Sequence, residues 1–144
     1  MASLKEVIQA DVKEAMKARN QGLLTTLRGV TAAIKQVEID TRKDLSEEGV
    51  LDVLNKEVKK RRDAIKFAEQ GGRDDIVSQN QAEIKILEKY VGEQLSDDKL
   101  REVIQAVVAN GADSIGAVMG TLNRDYKGRF EGKLASQIVK EILG

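Results

Sequence analysis

Two clusters of cations are the residues best placed to do chemistry in this chain, and what they offer is the capture of phosphate. The first is the run Lys56-Glu57-Val58-Lys59-Lys60-Arg61-Arg62-Asp63, extended by Lys66 and Arg73. At helical spacing Lys56, Lys59, Lys60 and Asp63 share one side, Arg62, Lys66 and Glu69 share the next, and Arg61 falls close to an apolar stripe between Val58 and Ile65. Such a surface reads in two ways. It is a phosphate-binding ridge carried by Lys59, Lys60 and Arg62, or a solvated helix side laced by pairs such as Glu57–Arg61 and Lys59–Asp63. Arg61 can snorkel, or hold a carboxylate at the edge of a bundle.

The second cluster lies near the C-terminus. Arg124, Lys127, Arg129 and Lys133 fall within ten residues, interrupted by Gly128 and Gly132, and Lys140 follows two turns on. Glycines allow close approach of the backbone to a ligand or a positive φ. A helix is predicted to start directly after, so its free N–H groups and positive dipole end would sit beside these side chains. Tyr126 and Phe130 would stack on a base or sugar, or else cap a small apolar core. Asp125 and Glu131 dilute the charge.

Most other chemistry is excluded by composition. The chain has no Cys and no His, so thiolate nucleophiles, disulfides, imidazole bases and the usual transition-metal ligands are absent. Carboxylates are numerous but none has a distinctive setting, so no catalytic residue, metal or cofactor is read from them. No EF-hand spacing occurs, and the glycines at 111, 116 and 120 lack the Gly-Lys-Ser/Thr ending of a phosphate loop. Gly116 and Gly120, four apart, imply a close helix–helix approach. Asn80 implies a satisfied polar contact on a helix seam.

The elements that must position the two clusters are helices. The chain has 144 residues with 24 acids balancing 24 bases, which argues against binding by bulk charge but leaves room for a local patch. Proline is absent and apolar residues recur at steps of three and four almost throughout. Seven helices are predicted. The first follows Ser3, with Leu4, Val7, Ile8, Val12, Ala15 and Met16 inward. The second carries Leu23, Leu27, Val30, Ile34 and Val37 and stops near Thr41. The third covers 47–70 and ends at Gly71-Gly72, and the fourth covers 74–91. Three shorter ones follow: one capped at Ser96, one capped at Asp113 with Ile115, Val118, Met119 and Leu122 inward, and one packing Leu134, Ile138, Val139, Ile142 and Leu143. The expected fold class is all-α. It divides into an N-terminal antiparallel bundle over 1–92 and a small three-helix C-terminal domain over 93–144. No stretch resembles a signal peptide or a membrane span, so the expectation is no membrane and cytoplasmic residence.

Taken in order along nearly the whole chain, several stretches resemble the YqeY family. They are 56–65, Gly72-Arg73-Asp74-Asp75-Ile76, Tyr90 with Glu93-Gln94-Leu95-Ser96, Val118-Met119-Gly120, Lys127-Gly128-Arg129, Gly132 and the closing Val139-Lys140-Glu141-Ile142-Leu143. The second half is similar to the GatB tail domain of the glutamyl/aspartyl-tRNA amidotransferase. That resemblance implies a helical bundle with a small helical domain, and a tail that helps hold tRNA. The transamidation machinery lies in parts of that enzyme missing here. The implied function is therefore a non-catalytic accessory protein, binding tRNA or a tRNA-dependent amidotransferase-type complex. The link to carbon–nitrogen ligase activity with glutamine as amido-N-donor comes only through the shared domain. The implied contacts are Arg124, Lys127, Arg129, Lys133 and Lys140, with Gly128 and Gly132 shaping the loop, and the 59–62 run as a second surface. The other reading is a protein-interaction adaptor that binds no RNA. This chain has Val91-Gly92 where the family usually has a Pro, and Phe130-Glu131 where it tends to have Ala-Asp, which adds bulk and moves an acid at the loop.

Overall fold

The computed structural model describes residues 2–144. The described residues form helices and no strand: α1 (Leu4–Lys17), α2 (Gln21–Thr41), α3 (Glu47–Gln70), α4 (Asp74–Val91), α5 (Asp97–Ala109), α6 (Ile115–Asp125) and α7 (Gly132–Leu143). The all-α expectation holds.

Short polar caps start these helices. The side chains of Ser3, Asn20, Ser46, Ser96 and Ser114 each accept a backbone N–H from the first turn of the helix that follows. Ser114 replaces the expected Asp113 as the cap of α6, because its hydroxyl oxygen is the one that reaches the Ala117 N–H, at 3.1 Å. At the end of α3, Arg73 N–H donates to Ala68 O and Gly72 N–H to Glu69 O. That closure puts Gly72 at φ 68°, where a residue without Cβ is favoured.

The chain divides into two compact units, Met1–Tyr90 and Val91–Gly144. In the first unit α1, α2 and α3 pack on one another. Lys5, at the start of α1, meets Glu38, near the end of α2, at 2.8 Å, so these two helices run in opposite directions. Leu4 N–H donates to Glu47 at the start of α3, which gives α1 and α3 the same direction. The core of this unit includes Ile8, Leu27, Val30, Leu54 and Val58, all almost fully buried. Each such side chain contributes roughly 1.5–3 kcal/mol on removal from water.

α4 contributes the fully buried Leu87 and is tied to this unit by polar side chains as well. Arg61 of α3 donates Nε–H to Glu83 at 2.9 Å and Nη1–H to Glu57 at 3.1 Å, with only 11% of its side chain exposed. The Arg61–Glu83 pair spans the 71–73 turn almost symmetrically, so α3 and α4 form an antiparallel hairpin. Near the end of α4, Tyr90 Oη donates to Asp11 of α1 at 2.6 Å, and Lys89 Nζ meets the same oxygen at 2.9 Å. Burial opposes the charge on Asp11, but these two donors outweigh it and hold its pKa below the ordinary carboxylate value. Burial, and then the carboxylate, push the Tyr90 hydroxyl well above its usual value.

In the second unit α5, α6 and α7 pack mutually around Leu100, Ile104, Val118, Leu122, Ala135, Ile138 and Val139. Two expected core positions face water: Met16 in the first unit is 51% exposed and Ile115 in the second is 40% exposed. Both sit at the edge of an apolar stripe, where periodicity alone does not decide the side. Gly116 and Gly120 do not mediate a close approach either, since a Cβ on each would meet open space. Asn80 donates to Ile76 O of its own helix at 2.9 Å and so is satisfied locally.

Candidate nucleic-acid interface

The loop between α6 and α7 is held by the segment that precedes α5. Leu95 N–H donates to Arg129 O at 2.7 Å, Gln94 Nε2–H to Gly128 O at 2.6 Å, and Arg129 Nε–H to Glu93 O at 2.8 Å. Three hydrogen bonds therefore fasten residues 93–95 to 128–129. Gly92 permits this closure, for its φ is 95° and a Cβ there would lie 2.8 Å from Arg129 Cδ.

This arrangement sorts the expected contact residues. Arg129 is half-buried, bonded to the Glu93 carbonyl, and has its guanidinium 5.2 Å from the centre of the Tyr126 ring. It is a strut of the loop rather than an open phosphate contact. Arg124 is exposed and lies against its neighbour Asp125, Nε to Oδ1 at 3.0 Å, which raises the Arg124 pKa and lowers that of Asp125. Lys133 and Lys140 are exposed on α7, and Lys127 is half-buried. Gly128 has φ 78°, as a turn glycine should, whereas Gly132 is the first residue of α7 and adopts no positive φ. Tyr126 and Phe130 both pack against the core of the second unit, so they cap it instead of standing free. Glu131 precedes α7 without a side-chain cap bond.

On α3, Lys59 and Lys60 are exposed and Arg62 is half-buried on the neighbouring flank. Lys59 pairs with Asp63 at 3.7 Å, and Arg61 holds the two carboxylates described above. The two cation clusters belong to different units, and each contains an arginine held by the fold, Arg61 in the first and Arg129 in the second.

Pattern reasoning missed a third cationic feature, a groove of about 490 Å³ between α1 and α2 lined by Lys5, Gln9, Arg28, Thr31 and Lys35, with Glu38. Its cations are spread over 30 residues, so no local run announces it. Lys5 is committed to Glu38, whose carboxylate also accepts Leu45 N–H at 2.9 Å. Among the described residues no group of His, Cys, Asp and Glu side chains converges as a metal shell. Among the described residues no helix is long and apolar enough to cross a membrane.

Curated relatives share the name Altered inheritance of mitochondria protein 41, mitochondrial. That of Pyrenophora tritici-repentis is 26% identical over 143 residues, covering 95% of this chain and 79% of the relative. That of Clavispora lusitaniae is 32% identical, covering 94% and 82%. That of Kluyveromyces lactis reaches 42% identity over a shorter match, covering 58% of this chain and 45% of the relative. These names place the relatives in mitochondria, which corrects the expectation of cytoplasmic residence. The Yqey-like protein model matches residues 5–143, nearly the entire described fold, and the chain belongs to the YqeY family.

Proposed function

We propose that this chain is an accessory protein that binds tRNA, alone or within a tRNA-dependent amidotransferase-type complex, and grips the RNA with the 124–133 corner. One observation supports this most directly. Hydrogen bonds from residues 93–95 fasten the corner, while Arg124 on the last turn of α6 and Lys133 on the first turn of α7 remain exposed. A fastened loop loses little freedom on binding, and cations beside a helix start favour phosphate oxygens. The resemblance of the second unit to an amidotransferase tail domain adds the choice of tRNA over other polyanions. Arg129 contributes by shaping the loop, and Lys127 and Lys140 flank it.

The test is a mobility-shift assay with bulk tRNA and the full chain at two salt concentrations. With about three phosphates contacted, affinity falls about 20- to 40-fold for a fourfold rise in salt. Arg124→Glu with Lys133→Glu lowers low-salt affinity at least about tenfold, with an unchanged melting curve. Absence of a low-salt shift, or a double variant that binds as the parent does, overturns the reading. A protein partner retained after nuclease treatment, with no tRNA shift, would replace it with the adaptor reading.

A further inference from the structure

The outer face of α3 carries an aromatic ring that the fold does not use. Phe67 is 76% exposed, more than any other large apolar side chain among the described residues. It lies seven residues after Lys60 and eleven after Lys56, so all three share one side of the helix, within about 10 and 16 Å along its axis. Lys56, Lys59, Lys60 and Asp63 border a shallow depression on that same side. Asp63 answers Lys59, but among the described residues neither Lys56 nor Lys60 meets a carboxylate.

We propose that this face binds a single-stranded stretch of nucleic acid, with the Phe67 ring stacking on one base and Lys56 and Lys60 holding phosphates a few nucleotides away. The neighbours of the ring favour this occupant over a protein. One helical turn away on its own face stand Asp63, Ala64, Gln70 and Gly71, of which only the single methyl of Ala64 is an apolar side chain. A docking patch for a protein surrounds its aromatic anchor with apolar surface, whereas a base needs one flat ring and nearby cations. The site lies in the first unit and shares no residue with the 124–133 corner, so it stands or falls separately from the tRNA reading above.

The test uses the full chain and two labelled ten-residue strands, oligoadenylate RNA and an abasic strand with the same backbone, followed by fluorescence anisotropy at low salt. The base-bearing strand is expected to bind about five- to 100-fold more tightly than the abasic one. Phe67→Ala removes that difference, Phe67→Trp keeps it, and Lys56→Glu with Lys60→Glu weakens both strands. Arg124→Glu with Lys133→Glu leaves the difference between the two strands unchanged. Because Phe67 is exposed, its substitution leaves the melting curve in place, which circular dichroism checks. Equal affinity of the parent for both strands, or a base preference that survives Phe67→Ala, overturns the proposal. So does self-association that Phe67→Ala abolishes without any strand binding.

Discussion

The α3 run and the 124–133 loop look alike as strings of cations, yet they use their inward arginines differently. Arg61 is answered by charge, from Glu57 and Glu83. Arg129 is answered by a backbone carbonyl and an aromatic face. Removing Arg61 leaves two carboxylates facing an emptied, largely buried position. Removing Arg129 leaves one carbonyl that water can reach. The lesson is that an inward cation is worth what its removal strands, and a charge count does not reveal that.

The largest effect should therefore follow Arg61→Met, which is expected to lower stability by about 3 kcal/mol in urea denaturation. Adding Glu83→Gln should recover part of it, since only one carboxylate then remains; no recovery would mean that the guanidinium acts mainly by packing. Next comes Gly92→Ala, expected to cost about 2 kcal/mol, from its positive φ and from displacement of Arg129. Hydrogen exchange should localise this loss to Val91–Gly144 and leave α1–α3 protected. Arg129→Ala should cost about 1 kcal/mol, less than Arg61→Met by the reasoning above. A loss as large as that of Arg61→Met would break the comparison.

The smallest effect concerns pH. Hydrogen bonding from Lys5, aided by Leu45 N–H, holds the Glu38 pKa below its ordinary value of 4.5. A depressed folded pKa stabilises above the unfolded value, and the gain disappears as pH falls through the folded one. The stability difference between the parent and Lys5→Met should thus shrink steadily below pH 4.5. A constant difference down to acid unfolding would show that Lys5 acts through its aliphatic stem alone.

Much of the architecture was legible because caps and periodicity are local signals. Ser3, Ser46 and Ser96 announce helix starts, and Gly71-Gly72 announces a stop. The pairs Glu57–Arg61 and Lys59–Asp63 follow from spacing on one helix. The Lys5–Glu38 and Asp11–Tyr90 ties were not legible, because 33 and 79 residues separate the partners and only packing brings them together. The role of Arg129 was hidden for the same reason. Its carbonyl partner, Glu93, lies 36 residues earlier, and a backbone acceptor leaves no mark in a side-chain pattern. Phe67 escaped notice because a lone aromatic on a charged face breaks no rule of periodicity.

The two glycines of α6 have one more consequence. Gly116 and Gly120 interrupt an 11-residue helix and touch nothing that would reward their small size. Each weakens the coil relative to alanine by roughly 0.5–1 kcal/mol. α6 should accordingly be the segment of its unit whose amides exchange with solvent soonest. Arg124, on its last turn, is thus mounted on a support that breathes while the neighbouring loop stays fastened.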